Sequence, residues 1–201
     1  MVAVIDKESS STRSFPMISR SRALVLLVLV MFSVVFFLRL FVFNLYSVST
    51  GSMENTLIPG DRIIVTGSFL NHSRLGDPKR GDIIIFRDDA GWLDGTPYAG
   101  ETLNKRVIGA PGDTVIGYED GSVMVNGAVI DEPYLKSPAE TEVSKSLNVF
   151  NVTLSKNEFW VMGDNRGNSD DSRSNGPISR SSIVGVALYL VYPFNRFTNF
   201  S

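Results

Sequence analysis

Two hydrophobic patterns follow one another along the chain. The first, Ala23–Phe43, reads ALVLLVLVMFSVVFFLRLFVF, apolar on every side and broken by one charge, Arg39. As a helix it would be roughly 30 Å long, enough to cross a bilayer core. No polar stripe marks a solvent face, so a buried core helix is a poor reading. A cleaved secretory leader would also place basic residues before an apolar run and small residues (here Ser47 and Ser49) after it. Its apolar part, however, is usually only about 7–15 residues long. The pattern therefore predicts a retained transmembrane helix over 23–43, with Arg39 near one end, where its stem can snorkel to the head groups. Residues 1–22 form a polar tail of mixed charge. Arg13, Arg20 and Arg22 precede the span, whereas Glu54 and Asp61 follow it. The positive-inside rule then puts the tail in the cytoplasm and the rest of the chain outside.

Past the span the period shortens. Asp61–Thr66, Asp82–Phe86, Thr114–Ile116, Ser122–Val125, Ala128–Ile130, Glu158–Met162 and Ser182–Tyr192 are rich in β-branched or aromatic residues and bounded by turn residues. Such runs read as strands. Asn126-Gly127 between two of them is a type I′ hairpin signal. Asn71–Arg80, Ala90–Gly100 and Glu132–Ser146 read as loops, and no long helical periodicity appears after residue 43. The expectation is an all-β domain over 44–201 with a hairpin-rich insertion at about 112–160. The aromatic C-terminal stretch Val191–Phe200 should pack on the domain, with Phe197 and Phe200 as candidates for touching a bilayer surface.

Composition narrows the function. A net charge of −2 argues against a nucleic-acid partner, which needs a clustered basic surface. There are no cysteines and one histidine, which removes disulfides, thiolate metal sites and cysteine nucleophiles together. No metal or other cofactor is expected.

Three polar segments sit between the apolar runs. In Ser49-Thr50-Gly51-Ser52-Met53-Glu54-Asn55-Thr56-Leu57, Gly51 would let the backbone take a conformation closed to other residues and so display Ser52 as a nucleophile. A serine in such a stretch can equally be a turn or cap. Lys105 opens the apolar run of Asn104-Lys105-Arg106-Val107-Ile108-Gly109. On a buried strand its ammonium would lose water, which lowers its pKa and makes a neutral, basic amine accessible. The alternative is a surface lysine lying along the strand. In Gly163–Arg173 (GDNRGNSDDSR), Asp171 and Arg173 could brace a loop by a charge-assisted pair, with Arg106 a further candidate partner.

In order and composition these segments resemble the type I bacterial signal peptidases, or leader peptidases. The family patterns are approximately SGSM-x-PTL, KRV-x-G-x-PGD and GDNR-x-NS-x-DSR; here they stand as TGSMENTL, KRVIGAPGD and GDNRGNSDDSR. The likeness runs from the anchor to Gly176-Pro177-Ile178 and the strand beyond. It implies a membrane-bound serine endopeptidase of the bacterial inner membrane, acting through an acyl-enzyme on secreted preproteins with small residues at −3 and −1. Ser52 matches the nucleophile and Lys105 the general base. The Ser52 N–H and the Thr50 hydroxyl match the oxyanion hole. Ser169 matches the serine that orients the lysine amine, and Asp171 and Arg173 match the charged pair that shapes the region. By position, Asn44–Ser49 and Thr102–Asn104 would flank an extended substrate, with Met53 lining a pocket for its small side chains.

Some positions depart from the family pattern. Asn55 stands where proline is usual, which loosens that turn, and Ser49 also replaces a proline. Thr50 replaces a serine but keeps the hydroxyl. Asn104 replaces an apolar residue beside the specificity pocket, and Gly167 a frequent aspartate. Three rivals remain: a Ser-His-Asp hydrolase using His72, a Ser-Lys maturation peptidase with one dedicated substrate, and a non-catalytic membrane-tethered β module. Asp113-Thr114 lacks the following glycine and second copy an aspartic protease needs.

Overall fold

The computed structural model describes residues 19–41, 43–66, 77–96, 99–135 and 149–200. His72 and the loop around it, like most of the 132–146 loop, lie outside the described residues. Arg20–Phe41 is one helix of 22 residues, α1, with every residue from Arg20 to Phe37 exposed. By length and composition it can cross a membrane. It starts three residues before the apolar block, since Arg20 and Arg22 are good helix formers. It stops at Phe41 because the chain turns extended at Phe43.

Leu38–Ser201 forms a second unit, all-β as the sequence predicts. Its strands are β1 (Phe43–Ser47), β2 (Arg62–Thr66), β3 (Ile83–Arg87), β4 (Thr102–Gly109), β5 (Thr114–Gly117), β6 (Val123–Val125), β7 (Ala128–Val129), β8 (Phe150–Thr153), β9 (Glu158–Met162), β10 (Ile178–Ser179), β11 (Ile183–Tyr192) and β12 (Thr198–Asn199). One helical turn, α2 (Ser172–Asn175), sits between β9 and β10. The large antiparallel sheet runs β1-β2-β11-β3-β4-β9-β10, with β12 also on β11. A smaller sheet runs β7-β6-β5-β8.

The unbroken apolar run of β3 follows from its place in the middle of the large sheet. Ile83 and Ile85 enter one core with Met53, Leu57, Ile63, Val65 and Leu190. Ile84 and Phe86, on the opposite face, enter another with Leu103, Val107, Phe159 and Val161. A strand buried on both faces has no polar side to alternate with. β9 does the same: Phe159 and Val161 join that second core, whereas Trp160 and Met162 pack against Val115, Val123 and Val125 of the small sheet. β11 pairs first with β3 and then with β2, with register shifts in both ladders, and such bulges increase local twist. Asn126 and Gly127 have φ of 52° and 83°, as a type I′ turn requires.

The short or edge strands carry weak patterns. β1 begins on the last residue of the apolar block and carries Asn44 and Ser47, so no β-branched run marks it, and β10 and β12 have two residues each. At the C-terminus, Phe197 is exposed and stacks on Tyr189. Phe200 instead packs against the core around Met53 and Leu57, because its segment is held back on the sheet by the bond from Phe200 N–H to the Leu188 carbonyl.

Candidate active site

Ser52 lies on a single 3-10 turn, Gly51–Met53, that follows β1. The turn closes with the Glu54 N–H on the Gly51 carbonyl at 3.1 Å. Gly51 does not adopt the left-handed backbone expected of it. A Cβ there would meet only the flexible end of the Glu54 side chain, at 2.6 Å from Oε1. The left-handed residue of this segment is Asn55, with φ of 97°, a value closed to proline, whose ring fixes φ near −65°. The turn at Asn55 is therefore built differently from one carrying proline there, rather than being a looser copy of it.

Lys105 lies in the middle of β4, opposite Ile84 on β3, and is 2% exposed. Its Nζ donates to Ser52 Oγ at 2.6 Å. Burial of the amine lowers its pKa from 10.5 to about 8, against the opposing pull of the nearby Asp171, Asp170 and Asp164 carboxylates. Desolvation wins because the amine has lost almost all its water. The lysine that the sequence left between a surface and a buried reading is thus buried against the serine. Thr50 Oγ1 sits 3.4 Å from Ser52 Oγ.

The polar segment after β9 holds this pair from behind. Asp171 is fully buried and forms a two-point pair with Arg173, Nε to Oδ1 at 2.8 Å and Nη2 to Oδ2 at 2.9 Å. Its Oδ2 also accepts the Gly163 N–H at 3.0 Å. Burial pushes the Asp171 carboxyl up, but the Arg173 bonds and charge, the Gly163 N–H and the facing Ser169 hydroxyl hold it below the ordinary carboxylate value. Ser169 Oγ is buried and makes no hydrogen bond with Lys105, so the orienting contact implied for it is not formed here. It stands over Gly163 instead, where a Cβ would be 2.3 Å from that oxygen.

Arg106 pairs with Asp164 rather than with Asp171. Its Nε donates to Oδ1 at 2.8 Å and its Nη2 to Oδ2 at 2.6 Å. Neighbouring side chains on a strand point to opposite faces, so Arg106 turns away from the amine of Lys105. Thr56 also donates to Asp164, and the Tyr134 ring covers the guanidinium at 3.9 Å. Glu132 accepts from the Tyr134 hydroxyl at 2.6 Å and pairs with Arg166. Sequence reasoning missed Thr56, Asp164 and Tyr134. The first two were visible inside the polar motifs without a partner to suggest a role, and Tyr134 lies in a stretch read as a loop.

Met53 and Asn104, the candidate pocket residues, are both buried. Met53 belongs to the core beneath the turn and has no exposed surface, so it does not line an open pocket here. Asn104 Nδ2 is buried without a hydrogen-bond partner. Ser49 Oγ donates to Glu101 Oε2 at 3.3 Å, which brings the segment after β1 beside the start of β4.

This geometry meets a consistent set of relatives. The family model described as "Signal peptidase, peptidase S26" matches residues 21–192. Signal peptidase I T of Bacillus subtilis (strain 168) is 38% identical over 164 residues, covering 79% of this chain and 79% of that protein. Signal peptidase I of Leptolyngbya laminosa is 35% identical over 159 residues, covering 79% of this chain and 73% of that protein. Among solved structures, a signal peptidase I from Enterococcus faecalis V583 is 32% identical and covers 55% of this chain and 97% of its own, with a TM-score of 0.44.

Proposed function

The chain belongs to the peptidase S26 family of signal peptidases, and we propose that Ser52 and Lys105 are the nucleophile and general base with which it cleaves signal peptides from secreted preproteins. The observation that carries this reading is the 2.6 Å contact between Lys105 Nζ and Ser52 Oγ, made by an amine whose pKa is about 8. In its neutral form the lysine takes the Ser52 proton as Oγ attacks the scissile carbonyl. The Ser52 N–H and the Thr50 hydroxyl face the oxygen that becomes negative. The tetrahedral intermediate collapses as the Lys105 ammonium returns the proton to the leaving amine. Lys105 then deprotonates the water that releases the acyl group.

The substrate, on this reading, lies extended between the segment around Ser49 and the start of β4, adding a strand by main-chain hydrogen bonds. Small residues at −3 and −1 suit a cleft floored by buried side chains. The Asn104 amide nitrogen, buried without a partner, sets this chain's cleft apart from one with an apolar residue there. Asp171 and Arg173 keep the segment after β9 in shape, and Arg106 does so through Asp164. The helix holds the enzyme in the bacterial inner membrane, with residues 1–22 in the cytoplasm and the β domain outside. A protease confined to the outer face should therefore degrade residues 60–201 and spare the tail.

The deciding experiment is cleavage of a preprotein in detergent with lipid by wild type, Ser52→Ala and Lys105→Ala. The leader should be released after a small-x-small site by wild type, and both variants should lose roughly 10⁴-fold or more in rate. Normal cutting by Lys105→Ala would move the base elsewhere, with His72 the next residue to test. A wild type inert on varied preproteins would favour a dedicated substrate.

A further inference from the structure

Asn165 makes three contacts with the turn that carries Ser52. Its main-chain N–H donates to the Ser52 carbonyl at 3.0 Å. Its side-chain Nδ2 donates to the Gly51 carbonyl at 3.1 Å and to Glu54 Oε2 at 3.3 Å. Both side-chain neighbours are acceptors, so only the nitrogen end of the amide can face them.

The Gly51 carbonyl belongs to the same peptide unit as the Ser52 N–H. That unit is planar and trans, so its C=O and N–H point in opposite directions. A donor that fixes the Gly51 oxygen on one side therefore aims the Ser52 N–H to the other. The first N–H groups of a helical turn have no acceptor within it, which leaves this one free of the turn's own bonds. Hydrogen bonds in series also polarise one another, so a bond to the C=O strengthens its partner N–H as a donor. The following peptide unit, Ser52–Met53, is held by the Asn165 main chain in the same way.

We propose that Asn165 is a positioning residue for the oxyanion hole, holding the Gly51–Ser52 peptide so that the Ser52 N–H faces the developing oxyanion. The inference rests on the reading of Ser52 as nucleophile and oxyanion donor. Asn165 touches no reacting atom and acts through the peptide it grips. Removing its side chain leaves the Glu54 N–H on the Gly51 carbonyl, so the turn remains closed while one of its two restraints is lost.

The test uses the full-length enzyme in detergent with lipid. Asn165→Ala and Asn165→Asp should lower kcat by about 10–100-fold, within the loss expected for weakening one oxyanion donor, with KM within about twofold of wild type. A peptide boronic acid bearing the cleavage-site sequence bonds covalently to the serine and mimics the tetrahedral state. Its affinity should fall by the same factor as kcat, while the matching peptide carboxamide binds as to wild type. Adding Glu54→Gln to Asn165→Asp removes the carboxylate repulsion without restoring the donor, and the double variant should stay slow. Full recovery in that double variant would overturn the proposal, as would unchanged kcat or equal weakening of both peptide ligands. If Ser52→Ala still cleaves, the reading of the site fails and this inference with it. If Ser52→Ala is inert and Asn165→Ala is fully active, only the inference fails.

Discussion

Gly163 and Ser52 touch through backbone alone: a Cβ on Gly163 would lie 2.4 Å from the Ser52 carbonyl oxygen. The residue after β9 thus lies directly against the Ser52 turn, and Ser169 closes the other side at 2.3 Å from the same Cβ position. One added methyl must push the turn, the Ser169 segment, or both.

Gly163→Ala is therefore expected to damage activity more than folding. Displacement of a reacting group by about 1 Å can cost 10²-fold in rate, whereas an overpacked methyl typically destabilises by about 1–3 kcal/mol. Steady-state cleavage and thermal unfolding measured on the same preparation separate the two. A variant with wild-type kcat/KM would show that the turn tolerates movement.

The pH dependence of cleavage should follow the Lys105 amine. With its pKa lowered to about 8 by burial, kcat/KM should rise with pH and level off above that value as the neutral base accumulates. Lys105→Arg should be inactive across the range, since a guanidinium does not lose its proton. A flat profile from pH 7 to 9 would speak against this amine as the base.

The same burial acts on stability. The unfolded chain keeps the Lys105 proton up to about pH 10.5, whereas the folded protein releases it near 8. Between those values the unfolded state binds more protons, so stability rises with pH; below about 8 the buried ammonium is fully destabilising. Lys105→Met should therefore stabilise the fold at pH 7 by about 1–3 kcal/mol, read as a higher Tm, and the gain should shrink as pH rises from about 8 to 10.5. Unfolding scans of both proteins across pH 7 to 10.5 test this, and a lower Tm for the methionine variant at pH 7 would contradict it.

Asn55 offers a test of the turn itself. At φ of 97° an L-residue is strained and glycine is not, so Asn55→Gly should be neutral or stabilising by up to about 1 kcal/mol. Asn55→Pro should destabilise by about 3 kcal/mol or more and abolish cleavage, because the ring cannot reach that φ. An active, stable proline variant would mean that the turn adopts another backbone path.

Phe43–Ser47 shows where reading stopped at the level of pattern. It has no β-branched residue and mixes Asn44 and Ser47 with apolar side chains directly after the helix, so the pattern gave no reason to expect a strand, and pairing with β2 makes it one. The strands that were legible, such as β3, β9 and the β6–β7 hairpin, are those whose β-branched or aromatic residues are bounded by clear turn residues. Lys105 was legible only as an alternative, since it opens an apolar run between Asn104 and Arg106, and burial on β4 decides between the surface and the buried reading.

What the sequence determined alone was the class of the molecule: an apolar segment of membrane length, an all-β remainder, and the serine and lysine with their polar motifs. These are local properties, set by side-chain type and spacing along the chain. What only the tertiary structure decided was partnership. Arg106 pairs with Asp164, Asn165 grips the Gly51 and Ser52 carbonyls, and Tyr134 covers a guanidinium 28 positions earlier in the chain. Such contacts depend on how the sheet curves and where backbone touches backbone, and no spacing within a single segment encodes them.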